Sequence, residues 1–418
     1  MKLASMLRMA CCLICMSFAL ISCKFQKEDA NSESQMKNNP QSNNKPFNYV
    51  LGTQTFGIKY QFTNETRLVE TADEILKMGS NVLKCYLGPK SIEHYKLTSD
   101  ANSYNNLTEL ASNESSYQKI FDMPFDYYLF WVYSFAEPND AMRKGWTEQE
   151  KKDSYDETYK LASFLLSKYN DSGKTFYFGQ WEGDWAMTGP PLKYENEPTE
   201  LAIASTTDWL NTRQAAIDAA KKDTPHKNVE IYNYLEVNIV IEAMKGHKTI
   251  TNSVLENTNI DYVSYSAYDA IYPYDANLSF QQRLDAGEKR LISALDYIES
   301  KLPPKNVPGK RIFIGEYGFP ISAVNTPEAQ REASLSVAIA ALEWGCPFVL
   351  YWEIYDNEAE EGGANPKGYW MIDNKGVKQP IYKSHYDYYN WARQYVSEKH
   401  PSDKEFRIAA AEYLKKAN

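Results

Sequence analysis

Two segments of this 418-residue chain end an apolar run on a carboxylate. One reads Phe176-Tyr177-Phe178-Gly179-Gln180-Trp181-Glu182, followed by Gly183-Asp184-Trp185. The other reads Arg311-Ile312-Phe313-Ile314-Gly315-Glu316-Tyr317-Gly318-Phe319-Pro320. Side chains alternate along a strand, so Phe178, Gln180 and Glu182 are expected on one face, and so are Ile312, Ile314 and Glu316. A carboxylate closing an inward-facing apolar row is costly to bury without a task. Two of them facing each other across a cleft suit glycosidic cleavage: one carboxyl protonates the leaving oxygen while the other attacks the anomeric carbon. The plainer alternative is that each glutamate accepts hydrogen bonds from a loop backbone or pairs with an arginine.

The elements that must position these groups alternate regularly. Strands are expected at 49–56, 81–87, 127–134, 175–181, 229–235, 262–266, 311–315 and 347–352, with amphipathic helical segments between them. Leu68, Ala72, Ile75 and Leu76 mark one helix face, and Gly79 stands at its end. Further helices are expected near 148–169, 207–222 and 280–302. Another opens at Thr326-Pro327 and ends at Gly345, with a capping threonine and a proline in the first turn. The polar, Asn- and Ser-rich stretch 91–116 is expected to be a loop over the barrel mouth. Strand followed by helix, repeated eight times, predicts an α/β fold, a (β/α)8 barrel, with its active site at the carboxyl ends of the strands. Period alone also fits a doubly wound open sheet. Glu182 and Glu316, ending the fourth and seventh strands, are the candidate catalytic pair.

Several of these strands resemble one enzyme group. Ile314-Gly315-Glu316-Tyr317-Gly318 is similar to the nucleophile strand of the large retaining glycosidase clan that includes the family 5 cellulases and mannanases. Leu350-Tyr351-Trp352-Glu353 resembles that clan's eighth strand, whose tryptophan floors the sugar subsite. Val263-Ser264-Tyr265-Ser266-Ala267-Tyr268 resembles its sixth, where an aromatic residue or histidine neighbours the nucleophile. Gly368-Tyr369-Trp370-Met371-Ile372-Asp373 with Lys378-Gln379-Pro380 resembles its closing segment. The likeness runs in order over residues 50 to 395. It implies Glu316 as nucleophile, Glu182 as acid/base, Trp352 and Tyr268 at the sugar, and no cofactor or metal. The clan carries Asn just before its acid/base, where it holds the 2-hydroxyl of the sugar; this chain has Trp181 there. Asn238 is the candidate for a substitute amide, and Trp181 and Trp185 are expected to give Glu182 an apolar surround.

Composition agrees with a carbohydrate partner. The chain holds 32 Tyr, 17 Phe and 9 Trp, most of which must be core, and a formal charge of −10, which argues against nucleic acid. The five histidines (His94, His226, His247, His385 and His400) fall at no expected strand end, so hydrolytic triads and zinc sites lack their usual base or ligand. A non-catalytic glycan-binding protein on a degenerate barrel is the competing class; it would use Trp181, Trp185 and Trp352 as a platform and need neither carboxylate.

The amino-terminal segment is read separately. Lys2 and Arg8 precede an apolar run, Met9 to Ser22, of signal-peptide length, and Leu20-Ile21-Ser22-Cys23 resembles a bacterial lipobox. The expected organisation is a signal peptide at 1–22, a lipid-anchored spacer at 23–46, a catalytic barrel at 47–398 and an outer helix at 399–418. Residues 24–45 are too polar to offset their ordering entropy. With Lys24 after the cysteine, the expected location is the outer membrane or cell surface, the lipid on Cys23 making the membrane contact. Cys85 and Cys346 are expected as buried thiols.

Overall fold

The computed structural model describes residues 46–100, 103–272 and 279–417. Eight parallel strands close into a barrel in chain order: β1 (Leu51–Thr55), β2 (Val82–Leu87), β3 (Tyr127–Val132), β4 (Thr175–Gly179), β5 (Glu230–Val237), β6 (Tyr262–Ser266), β7 (Ile312–Tyr317) and β8 (Val349–Tyr351), which pairs back with β1. This is the (β/α)8 barrel that the alternation predicts, and it excludes the open sheet. The segments read as signal peptide and nearly all of the spacer lie outside the described residues. Among those described, no helix is long and apolar enough to cross a membrane.

Local chemistry sets the helix limits. Thr147 and Glu150 form a capping box at the start of helix Glu148–Lys168. Thr326 caps helix Pro327–Trp344, and Gly345 ends it in the left-handed conformation at φ 103°. The helix expected at 207–222 starts earlier, spanning Glu200–Asp223 behind a Thr199 cap. The last helix, Asp403–Ala417, packs through Phe406, whose ring lies 4.9 Å from that of Phe47 and 5.9 Å from that of Trp391. The expectation of a loop over 91–116 is corrected. Short helices Ser91–Tyr95 and Leu107–Asn113 fill much of it, and Ser115–Asp122 follows. Their buried residues Tyr95, Leu107, Leu110 and Tyr117 give the segment a core of its own, hidden among polar neighbours.

Aromatic residues fill the barrel from below. Tyr127, Tyr177, Tyr232, Tyr262 and Phe348 meet with ring centroids 5.2–5.5 Å apart. Above them the Tyr234 ring packs on Phe313 at 5.4 Å, and it has room only because position 179 is glycine: a Cβ there would lie 2.1 Å from that ring. The tyrosine excess is thus in good part barrel filling.

These contacts correct the strand faces read from alternation. On β4 the inward row is Tyr177 and Gly179, while Phe176 packs outward on Phe121, Tyr128 and Tyr169. On β7 the inward residues are Phe313, packed on Tyr234 and Phe348, and Gly315, whose absent Cβ would meet Ser264 Oγ at 1.7 Å and Glu236 Oε2 at 2.9 Å. Both glutamates sit one position off the inward row. A bulge turns Glu316 in: the register with β8 shifts between Ile314 and Tyr317, and that with β6 shifts between Tyr265 and Ser266. At β4 the strand stops at Gly179, and the chain turns through Glu182 at φ +21° into helix Gly183–Thr188.

Candidate active site

The carboxyl ends of the strands surround a cleft of 1130 Å³, larger than the space that encloses a typical small ligand. Glu182, Glu316, Trp181, Tyr268 and Trp352 line it together. The residues that bring the two glutamates close come from strands other than β4 and β7.

Ser266, at the end of β6, donates its hydroxyl to Glu182 Oε1 at 2.6 Å and stands 3.4 Å from Glu316 Oε2. Two oxygens within reach of one hydroxyl cannot be more than about 6 Å apart, the two distances laid end to end. So close an approach of one oxygen from each group is the arrangement expected of retaining pairs, whose carboxyls stand ~5–5.5 Å apart against the roughly 6.5–9.5 Å of inverting ones. Glu182 takes up its place with a backbone outside the regions ordinary for a non-glycine residue, a kind of strain that gathers at functional sites.

A third carboxylate and a lysine lie directly behind this pair. Glu236 on β5 is wholly buried; it accepts Lys84 Nζ at 3.0 Å, Ser264 Oγ at 2.7 Å and the backbone N–H of Glu182 itself at 3.1 Å. Lys84 on β2 also donates to the Gly315 carbonyl at 3.0 Å, and its ammonium is 3.9 Å from Glu316 Oε1. It lies 4.9 Å from the Trp131 ring centroid, a cation–π contact that offsets part of its desolvation. Burial pushes the Glu182 carboxyl up to about 8; the Ser266 hydrogen bond opposes that and the Glu236 charge adds to it. Burial first, and then the Glu236 charge, push Glu316 well above the usual carboxylate range, with the Lys84 ammonium opposing.

The cleft floor is aromatic. Phe56 packs against Trp131 at 3.7 Å and against Trp352 at 5.7 Å, and the two indoles lie 6.0 Å apart. The Trp131 indole Nε1 is buried with no protein partner. At one end His94 stacks on Tyr86 at 4.7 Å and 5°. His94 falls at no strand end, yet the helix after β2 carries it to the cleft wall.

Two predicted contacts fall elsewhere. Asn238 is buried, and its side-chain oxygen accepts the Asp184 N–H at 3.2 Å, while its own N–H donates to Asp184 Oδ2 at 3.1 Å. It clips the loop after β4 to that after β5 and does not line the cleft. Trp185, on the helix after Glu182, packs edge-on against Tyr194 at 5.5 Å, also outside the cleft lining. The surround of Glu182 is therefore polar (Ser266, Glu236, Asp184) and not the pair of indoles expected.

Lys84, Glu236, Trp131 and Phe56 were not singled out in the sequence, and Ser266 stood there only as part of the β6 motif. The clearest signal for any of them is Lys84, an ammonium in the middle of the apolar strand Val82–Leu87. The Gly before Glu316 also hinted at a bulge.

No family model and no curated protein matches the chain. Solved structures do. An exo-beta-1,4-mannosidase from Opitutaceae bacterium strain TAV5 superposes with a TM-score of 0.55 at 11% identity, over 83% of this chain and 60% of that one. A GH5-4 broad specificity endoglucanase from Clostridium longisporum gives 0.50 at 12%, over 82% and 96%. A family 39 glycoside hydrolase from the gut symbiont Bacteroides cellulosilyticus WH2 gives 0.50 at 12%, over 81% and 63%. The class defined here is a (β/α)8 barrel of the architecture these glycoside hydrolases share. At such identities the likeness is one of fold.

Proposed function

We propose that this chain is a retaining glycoside hydrolase acting on a polysaccharide or oligosaccharide, most simply at β-linked bonds, with Glu316 as nucleophile and Glu182 as acid/base. The observation that carries the reading is the Ser266 hydroxyl shared between the two carboxyl groups, 2.6 Å from one and 3.4 Å from the other. Such closeness favours direct attack by the protein's own carboxylate over attack by a water held between nucleophile and anomeric carbon.

In the first step Glu316 bonds to the anomeric carbon as the glycosidic C–O bond breaks, and Glu182 gives its proton to the departing oxygen. In the second, Glu182 takes a proton from water as that water displaces Glu316, so the configuration is inverted twice. Burial that keeps Glu182 protonated near neutrality supports the first role. Lys84 beside Glu316 opposes the burial and the Glu236 charge that raise that carboxyl, and so works toward the ionised form the nucleophile needs. Trp352 and Trp131 line the cleft and give the sugar an aromatic surface. Export and anchoring through Cys23, at an outer membrane or cell surface, complete the reading.

Reducing-sugar release from a panel of β-glucans, mannans and galactans tests the activity, and NMR of the first-formed anomer tests the stereochemistry. Inversion by the wild-type protein would make Glu316 a general base and end the proposal. Binding without release of sugar would favour the glycan-binding alternative.

A further inference from the structure

The reaction needs two carboxyl groups, yet the barrel buries three at its mouth with a single ammonium among them. Among the described residues, Lys84 is the one cation within 4.0 Å of any of the three. Its contacts are distributed across the site. It bonds Glu236 at 3.0 Å and the carbonyl of Gly315, the residue before the nucleophile, at 3.0 Å. Glu236 in turn holds the backbone N–H of Glu182 at 3.1 Å. One continuous chain of hydrogen bonds therefore runs from the acid/base backbone through Glu236 and Lys84 to the nucleophile backbone, crossing from β4 by way of β5 and β2 to β7. Gly315 makes it possible, since any Cβ there would lie 2.9 Å from Glu236 Oε2.

We infer that the buried Lys84–Glu236 pair is a positioning element for the catalytic carboxyls, its two halves acting on Glu316 in opposite senses: Lys84 favours the ionised nucleophile and Glu236 disfavours it. The inference rests on the glycosidase reading of Glu182 and Glu316 and deepens it. The titratable groups facing Glu316 are Glu182 from the loop after β4, Glu236 and Tyr234 from β5, Lys84 from β2 and Tyr268 from beyond β6. Of these only Lys84 is cationic. Glu236 raises both Glu182 and Glu316, and Lys84 lowers both. The pair therefore moves the two functional groups together, which a purely structural brace would not do.

The test is carboxyl 13C NMR of protein labelled with [5-13C]glutamate, the Glu316 signal assigned by its loss in Glu316→Gln, together with the pH profile of kcat/KM on the best substrate of the polysaccharide panel. Lys84→Met should move the Glu316 titration upward by about one to three pH units. Glu236→Gln should move it downward by a similar amount, and both limbs of the pH profile should travel the same way as the titration. Lys84→Arg should stay close to wild type. Should Lys84→Met fail to fold, Glu236→Gln and the double variant Lys84→Met/Glu236→Gln carry the test, the double lying between the singles. An active, folded Glu236→Gln whose Glu316 titration stays in place or rises overturns the inference. A wild-type protein that cleaves nothing in the panel while these titrations move as stated overturns the glycosidase reading alone, and the hold of the pair on Glu316 stands.

Discussion

Glu182 accepts the hydroxyl of Ser266 at 2.6 Å, across a chain separation of 84 residues. The contact stabilises the ionised carboxylate against a burial that favours the neutral acid, and burial prevails. The proposed proton donor is thereby left protonated near neutrality and still oriented by a fixed partner.

The balance sets the alkaline limb of activity. Because Glu182 is raised to about 8, it holds its proton below that pH and loses it as pH climbs through it, so kcat/KM on an unactivated glycoside should fall above pH 8. Glu182→Ala should slow cleavage least for aryl glycosides with good leaving groups. It should accumulate the glycosyl–Glu316 intermediate, and azide should rescue it as a β-glycosyl azide if the bond cleaved is β. Glu316→Ala should show no rescue of that stereochemistry. Mass spectrometry of the trapped protein and NMR of the azide product check both.

Ser266→Ala removes a hydrogen bond that lowers Glu182, so the carboxyl should rise further and the alkaline limb should move to higher pH. Loss of one orienting hydrogen bond at the reacting group should cost about tenfold in kcat/KM at neutral pH. A limb that moves to lower pH would show that the hydroxyl is oriented differently from what is seen here.

Trp352→Ala should lose most activity, about a hundredfold or more in kcat/KM. Trp352 also packs on Phe56 and Trp131 and is only 8% exposed, so the same change should cost about 3–5 kcal/mol of stability while leaving a cooperative unfolding transition. Denaturant unfolding beside kinetics separates the two losses. Trp352→Phe should recover more of the stability than of the activity.

Gly179→Ala places a methyl 2.1 Å from the Tyr234 ring, whose hydroxyl is held by the Phe130 carbonyl at 3.1 Å. The ring cannot step aside cheaply, and the variant should lose about 1–3 kcal/mol or more. Tyr234→Leu in the same chain should restore part of it. Thermal unfolding of the three proteins tests the coupling.

Cys23→Ala should release the protein from membranes into the soluble fraction without altering its hydrolytic activity, since the expected anchor lies far from the barrel in sequence. Equal membrane fractionation of variant and wild type would refute the anchor.

The sequence alone carried the barrel. Most of the strands are short, largely apolar runs (β1, Leu-Gly-Thr-Gln-Thr, is the polar exception), and eight such segments alternating with amphipathic helices leave few other ways to bury their faces. It also carried Glu182, Glu316, Tyr268, Trp181 and Trp352 as residues that share one cleft, because strand ends converge wherever such a barrel closes. Which face each residue takes was decided only in three dimensions. A bulge at Gly315–Glu316 and a turn at Glu182 each displace a side chain by one position, and no periodicity records a single extra residue. Asn238 looked free to hold a sugar hydroxyl, but its side-chain oxygen accepts the Asp184 N–H and the residue lies outside the cleft lining. Lys84 and Glu236 show the same limit from the other side. Lys84 stands out in its apolar strand without showing what it pairs with, and only closure of the barrel sets an ammonium from β2 and a carboxylate from β5 3.0 Å apart beneath Glu182 and Glu316, because a buried charge acquires its role from partners that the chain brings from elsewhere.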